Sequence, residues 1–228
     1  MQVYTESQAR QYLERINFPC LNDSRSLPRP TLDTLRQLVA GHLQAIPFEN
    51  LSLHYSTHRR IDLNPQVLFD KFVIQKKGGY CMEQNGAFST LLRTLGYQLY
   101  TVGGRVLSGM PAGQSAGLAH MASIITIDGI EYLVDVGYGA NCLTAPLPIF
   151  DGKEIIETPR NGVIPEQHRI QLLGYPNQQR QGHKIWTLQL QRNPDAQWET
   201  QYIFEKDFEF LLPDYEMYVL FVNYFDIE

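Results

Sequence analysis

Lys76-Lys-Gly-Gly-Tyr-Cys-Met-Glu-Gln-Asn85 sets one cysteine between a Gly-Gly pair and an apolar helical stretch, Ala87 to Leu95. The pattern predicts a Gly-Gly turn feeding a helix that begins near Cys81. A helix start carries unsatisfied backbone N–H groups and partial positive charge, so it favours a thiol nucleophile and offers donors to a developing oxyanion. A cysteine in that position can equally be a small buried apolar residue, and its partners decide between the two readings.

Working outward, Gly117-Leu-Ala-His-Met-Ala-Ser-Ile-Ile-Thr-Ile127 puts His120 at the head of an apolar, β-branched run that reads as a strand. Asp128-Gly129 is a two-residue hairpin signal, and Tyr132-Leu-Val-Asp-Val-Gly-Tyr-Gly139 brings Asp135 back on the returning strand. With Ile127 opposite Ile130, the register places His120 opposite a residue near 137 and makes Asp135 its diagonal neighbour. A carboxylate beside one ring nitrogen fixes the tautomer and stabilises the imidazolium, leaving the other nitrogen to take a thiol proton. Cys81, His120 and Asp135 thus read as nucleophile, base and orienter. Taken singly, His120 is equally a strand-end histidine with a satisfied hydrogen bond, and Asp135 a cap on the Val-Gly-Tyr-Gly turn.

The remaining chain divides by periodicity. Helical spacing covers Thr5–Asn17, Thr31–Ala45, Pro65–Val73 and Glu83–Leu95, with Thr5 as an N-cap. Strand patterns follow at Gln98–Val106, Met121–Ile127, Glu131–Val136, Arg169–Leu173, Ile185–Arg192 and Glu199–Phe204. The expected fold class is α+β, with a helical domain over 1–95 carrying the nucleophile and a β-rich, barrel-like domain over 96–204 carrying His120 and Asp135. Their junction is the expected cleft. Ser108–Ala119, rich in glycine, reads as an ordinary hairpin loop or as a gate to that cleft. Tyr215–Tyr224 is dense in aromatic and aliphatic residues, which predicts core burial or an exposed interaction surface.

A chain of 228 residues can bury a substantial core, and its net charge of −5 gives no footprint for nucleic acid. Cys20, Cys81 and Cys142 are odd in number and widely spaced, which argues against a disulfide framework or a zinc site. His42, His54, His58, His168 and His183 lack metal-ligand spacing, so no metal is expected. No basic region followed by an apolar stretch opens the chain, and no apolar run of about 18 residues occurs. A cytoplasmic location without a membrane partner is expected. Glu49 and Asn50 read as structural, and Glu83 as a carboxylate complementing the helix start.

Together these motifs resemble the arylamine N-acetyltransferases. The resemblance rests on Lys77-Gly78-Gly79-Tyr80-Cys81-Met82-Glu83-Gln84-Asn85, Ile46-Pro47-Phe48-Glu49-Asn50-Leu51, Gly103-Gly104-Arg105-Val106, His120-Met121 and Asp135-Val136-Gly137-Tyr138-Gly139, in that family's order. It implies a papain-like cysteine-enzyme core in which Cys81 takes an acetyl group from acetyl-coenzyme A, the co-substrate, and passes it to an aromatic amine or hydrazine. It also implies that Phe48, Val106 and Tyr138 line the acceptor pocket; apart from the resemblance, local basic residues such as Arg105 or Lys184 could receive the coenzyme's phosphates within an acidic chain. Met82 and Tyr138 stand where the family usually has phenylalanine, and Lys77 stands where it has an arginine that could pair with Glu49. The family usually continues beyond Asp207–Asn223, so 205–228 is expected to be the remnant of a shortened third domain. An amide synthase or other acyltransferase, a thiol hydrolase and an inactive truncated homologue are the alternatives.

Overall fold

The structure, a computed structural model, describes residues 3–19, 26–55, 57, 60–111, 114, 117–151, 155–160, 163–174 and 182–225. Cys20, His58 and part of the Ser108–Ala119 loop lie outside the described residues. Helices come first: α1 (Glu6–Arg15), α2 (Leu32–Ala45), α3 (Leu51–Tyr55), α4 (Pro65–Phe69), a π-helical turn (Asp70–Ile74) and α5 (Cys81–Thr94). The strands are β1 (Gln98–Val106), β2 (His120–Ile127), β3 (Ile130–Val134), β4 (Leu147–Pro148), β5 (Ile155–Arg160), β6 (Val163–Gly174), β7 (Lys184–Gln191) and β8 (Glu199–Phe204), followed by α6 (Leu212–Phe225).

Local chemistry explains the helix starts. The Thr5 hydroxyl accepts from the Gln8 N–H while the Gln8 side chain accepts from the Thr5 N–H, so a capping box begins α1. Thr31 caps α2 through the Thr34 N–H. The helix read as Pro65–Val73 divides into α4 and the π turn, which delivers Lys71 to a buried carboxylate on α5. Neither α3 nor α6 was evident from helical spacing.

The strands form one antiparallel, barrel-like sheet in the order β4-β3-β2-β1-β8-β7-β6-β5. Asp128 and Gly129 both take positive φ, 50° and 77°, which suits a tight hairpin, and Ile127 pairs with Ile130 as expected. One boundary differs: β3 stops at Val134, so Asp135 follows the strand and does not lie within it. The cause is a change of partner, because the Val136 N–H goes to the Asn85 side chain and the Gly137 N–H to the Asp135 carboxylate.

The helix that starts at Cys81 is the keel of the molecule. Ala87, Phe88, Leu91 and Leu92 of α5 are buried against Tyr12, Leu13, Leu35 and Leu38 from α1 and α2, and against Ile125 and Val134 from the sheet. A second core, including Val102, Ile124, Leu133, Leu188, Tyr202 and Phe204, draws on strands from both halves of the sheet. A third gathers Cys81, Met82 and Met121 with Tyr215 and Val219 of α6, so that part of the aromatic C-terminal run is buried beside the cysteine. Burying side chains of this size contributes roughly 1.5–3 kcal/mol each. No helix among the described residues is long and apolar enough to cross a membrane.

Candidate active site

Residues 76–85 enter α5 without the expected Gly-Gly turn. Gly79 instead forms an isolated parallel bridge with Phe48, donating to Pro47 O at 3.2 Å and accepting from the Glu49 N–H at 3.0 Å. Neither Gly78 nor Gly79 has positive φ. Their small size serves close approach: a Cβ on Gly78 would lie 2.0 Å from Pro47 O, and one on Gly79 would lie 2.8 Å from the Phe72 ring. Glu83 stands in the first turn of α5 as expected, and one expectation changes here. The Glu83 Oε2 accepts from the Tyr80 N–H at 3.2 Å at the helix start, and its Oε1 also meets Lys71 Nζ at 2.6 Å. Burial raises the Glu83 pKa, with Lys71 opposing. Among the described residues no ion pair joins Lys77 to Glu49, whose carboxylate accepts from the Leu51 N–H instead.

Cys81, His120 and Asp135 meet where the first turn of α5 faces the β2–β3 hairpin. Cys81 is buried, with its Sγ 3.7 Å from Ala119 O, and it lies close enough to His120 to help raise the pKa of that ring. His120 Nε2 and Asp135 Oδ2 are 2.6 Å apart, and their side chains are 2% and 0% exposed. Burial alone would lower the histidine pKa. The Asp135 charge and hydrogen bond, with a smaller contribution from Cys81, outweigh it and hold His120 well above its ordinary range. Burial likewise opposes ionisation of Asp135, but His120, Asn85 and the Gly137 N–H together hold its pKa low. The pair is therefore imidazolium and carboxylate.

Asn85 is the functional residue that sequence reasoning passed over. Its Nδ2 donates to Asp135 Oδ1 at 2.9 Å and to Met121 O at 2.7 Å, while its Oδ1 accepts from the Val136 N–H at 3.0 Å. Every hydrogen-bonding element of this amide serves to seat the hairpin on the helix. The available signal was its position four residues after Cys81, which puts both on one face of α5. Gly137 completes the seat: a Cβ there would fall 2.8 Å from both Asn85 Nδ2 and Cys81 O. Cys142, buried and with its pKa raised by burial, donates to Asp135 O at 3.1 Å and accepts from the Tyr138 N–H at 3.4 Å.

The three expected pocket residues divide. The Tyr138 ring meets His120 edge-on at 5.1 Å, while its hydroxyl donates to Gln201 O at 2.7 Å. Phe48 is 51% exposed, and its ring lies against Gly139. Val106 pairs with Tyr202 across β1 and β8 and is partly exposed. Tyr202, absent from the sequence reading, packs its ring 4.9 Å from His120, with its hydroxyl near Asp135 but in no well-aligned hydrogen bond. Met82 is fully buried and does not line the opening. Arg105 shares a hollow of about 520 Å³ with Glu205, Asp207 and Phe208, a mixed-charge setting for a phosphate.

A buried cysteine sulfur, a histidine and a carboxylate in this arrangement can transfer an acyl group through a thioester or hydrolyse one. A family profile described as N-acetyltransferase matches residues 31–210. The N-malonyltransferase FDB2 of Gibberella moniliformis is 33% identical over 248 aligned positions, covering 96% of this chain and 70% of that protein. The arylamine N-acetyltransferase structure from Salmonella typhimurium superposes with a TM-score of 0.79 at 26% identity, covering 98% of this chain and 72% of the other. The Mycobacterium marinum arylamine N-acetyltransferase in complex with CoA gives a TM-score of 0.73 at 31% identity, covering 93% and 70%.

Proposed function

The chain belongs to the arylamine N-acetyltransferase family of acyltransferases, with its papain-like fold, and from that premise we propose that it transfers acetyl from acetyl-coenzyme A to an aromatic amine or hydrazine. The observation that carries this reading is the buried 2.6 Å pair of His120 and Asp135 beside Cys81, which is buried at the head of α5. In the first half-reaction the Cys81 sulfur attacks the thioester carbonyl as a thiolate, its proton already held by the His120 ring. The tetrahedral intermediate then expels the coenzyme thiolate, which takes a proton from the His120 imidazolium. In the second, the amine attacks the acetyl-cysteine, neutral His120 accepts the amine proton, and the Cys81 sulfur leaves. Asp135 orients the ring and stabilises its cationic form throughout, and Asn85 positions Asp135.

Phe48, Val106 and Tyr138 form the acceptor side of the site in this reading. The exposed Phe48 ring and the Tyr138 edge offer apolar faces to a flat aromatic acceptor. A malonyl group is the second donor considered, favoured by the similarity to an N-malonyltransferase across 96% of this chain.

Coenzyme release from acetyl- and malonyl-coenzyme A, measured with and without an aromatic hydrazine, tests the proposal. Transfer predicts faster release on adding the hydrazine, with N-acetyl hydrazide formed in equal amount. Release that is fast without an acceptor would support hydrolysis instead, and a clear preference for the malonyl thioester would reassign the donor.

A further inference from the structure

A second buried polar chain reaches the site from the side of the helical bundle. Gln84 is 1% exposed, and its Nε2 donates to Pro47 O at 2.8 Å and to Gly79 O at 3.2 Å. Its Oε1 lies 2.6 Å from Nε2 of His42, whose Nδ1 lies 3.0 Å from the Tyr12 hydroxyl. Because both amide hydrogens point to carbonyls, Oε1 must accept, so His42 carries its proton on Nε2 and accepts from Tyr12 at Nδ1. Burial lowers the His42 pKa to about 4, against a rise from the Gln84 bond, so the ring is neutral at ordinary pH.

The two carbonyls that Gln84 holds flank the site. Pro47 immediately precedes Phe48, and Gly79 is two residues before Cys81. The backbone bridge between Phe48 and Gly79 is a single isolated one, and Phe48 itself is half exposed. Gln84 therefore clamps the Phe48 segment to the chain that delivers the thiol, and His42 and Tyr12 fix the direction of the clamp. Asp135 and the His120 ring lie outside this chain of contacts.

We propose that Gln84 is a positioning residue for the acceptor half of the reaction: its amide sets the spacing between the Phe48 ring and Cys81, and so selects acceptors that carry a flat aromatic ring. This inference rests on the proposed acyl transfer. It separates two properties of the enzyme, since forming the acyl-cysteine needs Cys81, His120 and Asp135, whereas seating an aromatic amine also needs Phe48 at a fixed distance. Misplacement by about 1 Å can reduce a rate by as much as 10²-fold.

The test compares the parent with Gln84→Met, which keeps length but cannot hydrogen-bond, and with the milder Tyr12→Phe, which removes only the hydroxyl that orients His42. Each is assayed for the burst of coenzyme release on acylation, for kcat and KM with an aromatic hydrazine, and for kcat and KM with unsubstituted hydrazine. Expected for Gln84→Met is a loss of about tenfold in kcat/KM for the aromatic acceptor, mostly in KM, with changes below about threefold in the burst rate and with plain hydrazine. Tyr12→Phe should lose about two- to threefold with the same selectivity. In a Phe48→Ala background, Gln84→Met should add little, because the two changes remove one interaction. Equal losses with both acceptors, a burst that falls in parallel, or additivity with Phe48→Ala would overturn the assignment. A parent that forms no acyl-enzyme would overturn the proposed function as well, so the two failures are distinguishable.

Discussion

His120 and His42 are both buried, at 2% and 0% exposure, yet they are held in opposite charge states. At the hairpin junction, a carboxylate 2.6 Å away keeps His120 cationic. In the helical bundle, the hydrogen-bond partners of the His42 ring among the described residues are the Gln84 amide and the Tyr12 hydroxyl, and burial, helped by the Arg15 charge, keeps it neutral. Desolvation acts on both rings in the same direction, so the neighbour decides. An imidazole meant to exchange protons is paired with a charge, and one meant to hold a fixed orientation is paired with neutral dipoles.

The strongest way to break this comparison is to remove the charge beside His120. Asp135→Asn should leave the fold in place and lower kcat/KM for acyl transfer by about 10³–10⁴, by analogy with other triads. Turnover together with a circular-dichroism melt would check it, and near-normal turnover would exclude Asp135 from the chemistry.

Next in size is the response to acid. The folded-state pKa of His42 is depressed from 6.5 to about 4, so the folded chain binds fewer protons than the unfolded one in that interval. Its contribution is full above pH 6.5 and lost as pH falls towards 4, a total of roughly 3 kcal/mol. His120 behaves oppositely. Its folded pKa is raised, so its contribution is full below about 6.5 and lost as pH rises through the folded value. Asp135, held low, loses its contribution as pH falls below the ordinary carboxylate range. Nitrogen-resolved NMR of the two rings from pH 5 to 8 should show His42 neutral with its proton on Nε2 and His120 doubly protonated. Two ordinary titrations near pH 6.5 would erase the distinction.

Asn85→Ala sharpens the comparison by loosening the carboxylate without removing it. It leaves Asp135 Oδ1 with the Gly137 N–H and strips partners from Met121 O and the Val136 N–H. A loss of about 2–3 kcal/mol in urea unfolding is expected, together with reduced transfer, because buried polar groups are left unpaired. Tyr138→Phe should have the smallest effect, costing about 1 kcal/mol by the same assay, since it removes one hydrogen bond, to Gln201 O, and keeps the ring.

The chemistry was legible in the sequence where local rules govern it. Asp128-Gly129 fixed the hairpin register, which brought His120 and Asp135 together, and Thr5 and Thr31 marked their helix starts. Long-range partners were not legible. Gln84 meets His42 across 42 positions and Asn85 meets Val136 across 51, and no local pattern announces such pairs. The glycine pair was misread as a turn because size, and not backbone handedness, is what Pro47 and Phe72 demand there. Tyr202 reaches His120 only through the pairing of β1 with β8, which joins distant parts of the chain.

The most direct measurement is the intact mass of the purified chain after mixing with acetyl-coenzyme A, then after adding an aromatic hydrazine, with Cys81→Ala alongside. The account predicts one acetyl group on the parent, none on Cys81→Ala, and its loss when the hydrazine arrives. An acetyl group that persists in Cys81→Ala, or one that the hydrazine does not remove, would contradict it.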